Sequence, residues 1–282
     1  MILVTGATGN VGNQVARILA QTGLHVRVLT RNPEHATFPA DVDVVRGDFT
    51  DPETLARTAD GADGLFLMLP GIDTTLEAAV ERAAPYAGRV AFLSSALVSI
   101  EPESPSLIVR RHAAIENAIR RSTSAWTILR PGYFAANALR WWLSQLRGSD
   151  VLRWPYANAR FAPIHERDIA EIAALALTSD EHAGAIYTLT GPAAITAAEQ
   201  LAIIAKSTQR HLRYEEVHAD VAREALAFLP PPVLDGILAS WERATYEPPF
   251  VTAEAVRALG KPARDFEEWA ADHASAFARS AA

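Results

Sequence analysis

Three glycines near the start of the chain are spaced as in a phosphate-binding loop. The segment from Gly6 to Gly12 has the pattern Gly-x-x-Gly-x-x-Gly, between an apolar run and a helix pattern. Such glycines permit a tight turn, close approach of the backbone to a pyrophosphate, and close packing of helix on strand. The helix N-terminus would bind the phosphate. We predict a nucleotide site, a purely structural turn being the alternative, with these loop residues: Gly6, Thr8, Gly9, Asn10, Val11 and Gly12.

Two serines and a histidine–glutamate pair are the side chains best suited to chemistry. Ser94 and Ser95 follow the fifth apolar run, and open α/β sheets bind ligands at the carboxyl ends of their strands. His112 and Glu116 are four residues apart in a helix pattern, so they share a face and could form a hydrogen-bonded couple. A histidine with its ordinary pKa of about 6.5 can donate a proton at neutral pH. The candidate catalytic residues are Ser95, His112 and Glu116, with an exposed polar pair as the alternative for the last two.

The elements that must position these residues are strands and helices in alternation. Apolar runs predict strands near residues 2–5, 25–29, 42–46, 64–69, 89–94, 126–130 and 185–189. A continuous apolar run such as 64–69 suits a strand buried on both faces, hence a parallel sheet covered by helices. The predicted fold class is α/β: a doubly wound parallel sheet of the Rossmann type, with a smaller, mostly helical C-terminal substrate region.

The domain organisation follows from where this alternation ends. We place a dinucleotide-binding domain at 1–155, to which the strand near 185–190 returns, and a C-terminal substrate-binding region at 156–282. Pro230–Pro232 is expected to form a hinge or surface loop. The segment Asp265–Ala278 begins with a helix N-cap residue and has aromatic residues at helical spacing, which predicts a docking helix.

Composition excludes several classes of function. The chain has 26 basic and 33 acidic residues, a net charge of −7, and no basic stripe, so no nucleic-acid partner is expected. The absence of cysteine excludes disulfides and a thiol nucleophile, and irregular ligand spacing around His165 argues against a metal site. Without a secretory signal or a membrane-length apolar run, a cytoplasmic protein is expected by default. The oligomeric state stays open, a homodimer included.

The first loop resembles that of the short-chain dehydrogenase/reductase superfamily, through its glycine spacing and the sequence Thr-Gly-Ala-Thr-Gly. The resemblance implies a nicotinamide dinucleotide. Arg31 follows the second strand, where a carboxylate would bind the ribose of NAD and an arginine accommodates the 2′-phosphate of NADP. We therefore expect NADP(H), a solvated surface arginine being the alternative. Two later segments resemble the superfamily's adenosine-binding loops: Asp48-Phe49 and Leu69-Pro70.

The usual catalytic pair of that superfamily is missing. Most members place a serine near Ser94 and Ser95, and a Tyr-x-x-x-Lys motif on the next helix protonates a carbonyl oxygen. This chain has no tyrosine between Tyr86 and Tyr133, and its first 205 residues contain no lysine. Proton donation by a tyrosine–lysine pair is therefore excluded.

His112 and Glu116 instead resemble the His-x-x-x-Glu of the NmrA-like branch, and within it the NADPH-dependent quinone and triphenylmethane-dye reductases. The sequence Thr-Ile-Leu-Arg-Pro-Gly-Tyr-Phe-x-x-Asn, ending at Asn137, supports the resemblance, which covers roughly residues 1–215. It implies that further cofactor contacts come from these residues: Ser94, Pro131, Gly132 and Tyr133.

A run of aromatic residues predicts the character of the substrate. These residues follow the sixth strand: Tyr133, Phe134, Trp141, Trp142, Trp154 and Phe161. They suggest a pocket for a flat aromatic or apolar small molecule, although many of them must be core. We hypothesise an NADPH-dependent oxidoreductase that reduces a quinone-like or other conjugated aromatic compound, with His112 as auxiliary acid or orienter. A non-catalytic NAD(P)-sensing regulator and a tailoring enzyme of secondary metabolism are the alternatives.

Overall fold

The computed structural model describes residues 1–71, 76–123 and 125–278. The strands are β1 (Ile2–Thr5), β2 (Val26–Thr30), β3 (Val42–Arg46), β4 (Gly64–Met68), β5 (Arg89–Leu93), β6 (Trp126–Pro131), β7 (Val151–Trp154), β8 (Arg160–Phe161), β9 (Ala185–Leu189), β10 (Ile195–Thr196) and β11 (Arg213–Glu216). The helices are α1 (Asn10–Gln21), α2 (Pro52–Ala59), α3 (Glu77–Ala83), α4 (Leu97–Ile100), α5 (Leu107–Ser122), α6 (Asn137–Gly148), α7 (Glu166–Thr178), α8 (Ala197–Thr208), α9 (Ala219–Ala225), α10 (Pro231–Arg243), α11 (Glu254–Leu259) and α12 (Phe266–Asp272).

The central sheet has the order β3-β2-β1-β4-β5-β6-β9, and all its neighbours are parallel. This confirms the predicted doubly wound sheet and its strands. The order reverses between β1 and β4, and at such a switch point the carboxyl ends of the strands leave a crevice for a ligand. Helices cover both faces of the sheet: α2, α3 and α5 lie on one face, and α1 and α7 lie on the other. The side chains of β4 alternate between the two faces and are therefore almost all buried.

The chain forms two compact units, and each is assembled from several segments. The first unit, which contains the central sheet, consists of Met1–Pro131, Glu166–Leu189 and Glu254–Lys261. The second consists of Gly132–His165, Thr190–Ala253 and Pro262–Ala282. These units differ from the predicted segments 1–155 and 156–282, because the chain passes between them more than once.

Contacts within the first unit explain why the segment 254–261 belongs to it. Glu254 accepts a hydrogen bond from the backbone N–H of Thr188 in β9, and the Arg257 guanidinium lies 5.7 Å from the Tyr187 ring. Lys261 pairs with Glu171 of α7 at 2.6 Å. This short helix therefore covers the last strand of the sheet.

The second unit is mostly helical, as predicted. Its apolar core includes Trp142 and Trp241, and α12 contributes Phe266, Trp269 and Ala270. Asp265 caps α12 by accepting the Glu268 N–H, while the Glu268 carboxylate accepts the Asp265 N–H. The predicted docking helix thus packs within this unit.

The proline cluster differs from its prediction. Pro231 is the first residue of α10 rather than part of a hinge. Proline is well suited to this position because its fixed φ is helical and the first N–H groups of a helix have no intrahelical acceptor.

Within the described residues, the structure contains no helix that is both long and apolar enough to cross a bilayer.

Candidate active site

The predicted phosphate loop joins β1 to α1 in a tight turn. Gly6 has φ +61°, and the Gly9 N–H donates to the Gly6 carbonyl at 2.9 Å. A Cβ on Gly12 would lie 2.3 Å from that same carbonyl oxygen, so only glycine allows α1 to approach the loop this closely. The two outer glycines of the motif therefore have the roles that their spacing predicts.

The start of α1 has the features of an anion site. Gly9 is the N-cap and supplies no side-chain acceptor, so the first N–H groups of the helix have no capping side chain. Thr8, Gly9 and Asn10 are exposed, whereas Val11 and Gly12 are buried beneath them. A phosphate at this helix end would receive those N–H groups and the positive end of the helix dipole.

Arg31 lies beyond the end of β2, with its side chain exposed. Its carbonyl oxygen accepts a hydrogen bond from Arg46 Nη1 at 2.9 Å, while Arg46 Nη2 binds the Glu34 carboxylate at 2.7 Å. In the described part of the chain, the Arg31 guanidinium makes no hydrogen bond or ion pair. Arg46 therefore fixes the backbone of this loop and leaves the Arg31 side chain available for a phosphate.

The remaining residues predicted to contact adenosine follow β3 and β4. The Asp48 carboxylate accepts the Thr50 N–H at 2.9 Å and the Thr50 hydroxyl at 2.7 Å. These bonds, and more weakly the charge of Arg31, lower the pKa of Asp48, which keeps it an acceptor. The Phe49 ring is buried in the apolar core, whereas Leu69 is half-buried and Pro70 is exposed.

The serines after β5 have different environments. Ser94 is buried, and its hydroxyl donates to Glu116 at 2.6 Å. Ser95 is half-buried; its oxygen accepts the Leu97 N–H at 3.3 Å. The Ser95 O–H donates to no acceptor among the residues that the structure describes. Of the two, Ser95 is the side chain that can still donate a hydrogen bond to a ligand.

Glu116 is held by a buried polar network and not by His112. It is only 2% exposed. Besides the Ser94 hydroxyl, its carboxylate accepts Arg130 Nε at 2.9 Å, Arg130 Nη2 at 2.5 Å and Arg120 Nη2 at 3.3 Å. The predicted His112–Glu116 couple does not form, because two arginines and a serine occupy both carboxylate oxygens.

His112 makes a bond within its own helix. Its Nδ1 lies 2.8 Å from the Ile108 carbonyl oxygen. Since a carbonyl only accepts, Nδ1 carries a proton and Nε2 is left for other contacts. Burial lowers the pKa of His112, outweighing the Ile108 bond and the Glu116 charge, which raise it. At neutral pH the ring is therefore mostly neutral, and it presents a hydrogen-bond acceptor rather than a proton.

The aromatic residues after β6 belong to the second unit and largely form its core. Trp141, Trp142 and Trp154 are each at most 9% exposed. Tyr133 and Phe161 are half-buried and stack at 4.5 Å between ring centroids. Burial raises the pKa of Tyr133, so its hydroxyl keeps its proton. The prediction that many of these residues would be core holds for the three tryptophans.

Arg130 is the residue that sequence reasoning did not assign. It lies within the motif used for the family resemblance, but it was given no role of its own. Its signal is a charged side chain that directly follows three buried residues in strand β6. A charge in such a strand requires a buried partner, and Glu116 is that partner.

Three known proteins that are similar to this chain are reductases. The chain is 40% identical over 282 residues, 99% of each sequence, to the (4-alkanoyl-5-oxo-2,5-dihydrofuran-3-yl)methyl phosphate reductase of Streptomyces griseus. It is 30% identical to the NAD(P)H azoreductase of Xenophilus azovorans, covering 98% of this chain and 99% of that one. The crystal structure of Citrobacter sp. triphenylmethane reductase complexed with NADP(H) superposes with a TM-score of 0.76 at 22% identity, covering 97% and 99% of the two chains.

A family assignment follows from the extent of these matches. The model of the NmrA-like family matches residues 1–258, which include the glycine loop and the His-x-x-x-Glu helix. The first two relatives are matched over almost their whole length. The chain belongs to the NmrA-like family.

Proposed function

We propose that this protein is an NADPH-dependent oxidoreductase that transfers hydride to an electron-poor conjugated small molecule. The observation that carries the proposal is the coincidence, at one edge of one sheet, of a phosphate cradle after β1 and a hydroxyl donor, Ser95, after β5. Parallel strands bring their carboxyl ends to the same edge of the sheet, which is where open α/β sheets bind ligands.

The chain's own residues fit the dinucleotide. Backbone N–H groups between Gly6 and Asn10 would hold the pyrophosphate, and Arg31 would bind the 2′-phosphate through charge-assisted hydrogen bonds. Asp48 would accept from the adenine amino group. When bound, the reduced cofactor supplies a hydride, and the protein supplies its position and surroundings.

The side chains near Ser95 favour acceptors that need no strong acid. Hydride added to a quinone, or to a carbon–carbon double bond conjugated with a carbonyl, leaves an anion delocalised onto oxygen. A hydroxyl such as Ser95 can stabilise that oxygen by donating a hydrogen bond. His112, neutral at pH 7 and with its Nδ1 proton bonded to Ile108, would orient the substrate by packing and not by proton donation, and the final proton can come from water.

Among conjugated acceptors, an acylfuranone is the one we place first. The name of the 40% identical relative describes a dihydrofuranone ring that carries an alkanoyl group beside the ring carbonyl, and a methyl phosphate. Its double bond is conjugated with both carbonyls, so the anion formed on reduction spreads over two oxygens. A quinone-like or other conjugated aromatic compound is the next candidate, since a 27% identical relative is Quinone oxidoreductase 2 of Escherichia coli.

The test is single-turnover oxidation of NADPH in a stopped-flow instrument. Three acceptors are compared: a 4-alkanoyl-5-oxo-2,5-dihydrofuran-3-ylmethyl phosphate, a benzoquinone and an azo dye. We expect acceptor-dependent loss of NADPH absorbance, fastest with the acylfuranone, and transfer of deuterium from C4-deuterated NADPH to a carbon atom of the reduced acylfuranone. Tight NADPH binding without oxidation by any of the three would refute the proposal and favour a dinucleotide-sensing regulator.

A further inference from the structure

The buried carboxylate of Glu116 connects three elements at the ligand edge of the sheet. Its donors come from the residue after β5 (Ser94), from β6 (Arg130) and from its own helix α5 (Arg120). The Arg130 side chain is only 14% exposed and binds both carboxylate oxygens, through Nε and Nη2. This two-point geometry is that of a bidentate arginine–carboxylate pair, which fixes orientation as well as charge.

The same guanidinium extends the network in a second direction. Arg130 Nη1 donates to the Ser99 hydroxyl of α4 at 2.9 Å. The Ser99 hydroxyl lies 3.1 Å from the Thr188 hydroxyl of β9, and the Thr188 N–H donates to Glu254 of α11. One arginine therefore links α5 to α4 and, through Ser99, to the last strand of the sheet.

The segment between these attachment points contains Ser95. On one side, its backbone is tied to β6, since the Ser94 N–H donates to Leu129 at 2.7 Å and the Ala96 N–H donates to Pro131 at 2.9 Å. On the other side, the Ser94 side chain is tied to Glu116. The backbone around Ser95 is thus held both by β6 and by Glu116. The position of Glu116 in turn depends on its pair with Arg130.

We infer that Arg130 is a positioning residue. By fixing Glu116 and Ser99, it sets the positions of Ser95 and of His112, which lies one turn before Glu116, relative to the bound acceptor. This inference rests on the proposed function. Arg130 acts through its partners and does not itself contact the reacting atoms. A displacement of about 1 Å in such a group can reduce turnover by about 100-fold.

The test uses the full chain with four variants. Arg130→Met removes the pair, Arg130→Lys keeps the charge without the two-point geometry, and Glu116→Gln combined with Arg130→Met removes both charges. The matched control is Arg121→Met in α5, the helix of Glu116; the Arg121 side chain is 63% exposed and pairs with Glu81 on the surface. For each variant we would measure kcat, KM for the acceptor, the Kd of NADPH and the midpoint of thermal unfolding.

A positioning role and a merely structural role predict different results for the double variant. Removing one partner of a buried pair leaves an uncompensated charge, whereas removing both is often tolerated, so the double variant should regain thermal stability. We expect its kcat to stay about 100-fold low, as in Arg130→Met, with NADPH affinity close to wild type and intermediate turnover for Arg130→Lys. Recovery of both stability and kcat in the double variant would overturn the inference, as would wild-type kcat in Arg130→Met.

Hydrogen exchange separates failure of this inference from failure of the proposed function. If the wild-type protein reduces no acceptor, amide exchange over residues 94–101 still reports on the network. Faster exchange there in Arg130→Met and in the double variant, but not in Arg121→Met, supports positioning by Arg130. Exchange unchanged from wild type in both would overturn it.

Discussion

Replacing Gly12 by alanine tests the dinucleotide site most directly. The new Cβ would lie 2.3 Å from the Gly6 carbonyl oxygen, 2.7 Å from its carbon and 3.1 Å from Ala7 Cα. All three are backbone atoms of the loop, so no side chain can rotate away. Reaching ordinary contact at 3.4 Å requires α1 and the loop to separate by about 1 Å.

The magnitude follows from the cost of overpacking. Forcing one extra methyl into a well-packed site costs about 1–3 kcal/mol. If that strain falls on the conformation that binds phosphate, the Kd of NADPH rises by about 5- to 150-fold, since 1.4 kcal/mol is tenfold. The unfolding free energy falls by an amount within the same range.

The matched control is the same substitution at Gly236. This exposed residue lies in the interior of α10, and a Cβ there would contact nothing within 4 Å. Alanine should stabilise that helix by about 0.5–1 kcal/mol and leave NADPH binding unchanged. Both variants would be compared by fluorescence titration with NADPH and by urea unfolding. NADPH affinity in Gly12→Ala equal to that of wild type would refute the assignment of this loop as the phosphate cradle.

Three further predictions concern separate parts of the molecule. Because burial lowers the pKa of His112, the unfolded state binds a proton at this ring more readily than the folded state, and stability is lost as pH falls below about 6.5. The urea midpoint of His112→Asn should therefore drop less than that of wild type between pH 7.5 and 5.5. An equal drop in the two proteins would contradict this. Arg31→Ala should weaken NADPH binding by about 10- to 100-fold through loss of charge-assisted bonds, with NADH binding unaffected; titrations with the two cofactors distinguish this from general damage. Asp265→Ala removes the capping box of α12 and should cost about 1 kcal/mol, whereas Glu267→Ala in the same first turn should cost less, as thermal unfolding of each would show.

Elements whose signals are local could be predicted from the sequence. The strand 42–46 and the strand 185–189 have the same bounds in prediction and structure, because an apolar run between turn residues is a property of a few neighbouring residues. The roles of Gly6 and Gly12 were likewise predictable, since a fixed spacing in one loop determines which backbone atoms approach.

Contacts between distant segments could not be predicted in this way. The interval from His112 to Glu116 suggested a couple, but helix spacing specifies only that two side chains share a face. The partner of Glu116 is determined by the neighbouring strand β6. There Arg130, 14 residues further along the chain, donates two charge-assisted hydrogen bonds to the carboxylate. The division into two units could not be predicted for the same reason. Residues 254–261 belong to the unit of the sheet because of their contacts with Thr188 and Tyr187, which are distant in sequence.

The shortage of lysine has a different meaning once the Glu116 network is known. In the sequence it excluded a tyrosine–lysine proton donor, since no lysine precedes Lys206. In the structure, the cation that binds both carboxylate oxygens of Glu116 at once is an arginine, Arg130. A lysine beside a catalytic group lowers its pKa and takes part in proton transfer. An arginine paired with a buried carboxylate instead fixes geometry, which suits the proposed hydride transfer to acceptors that need orientation more than a strong acid.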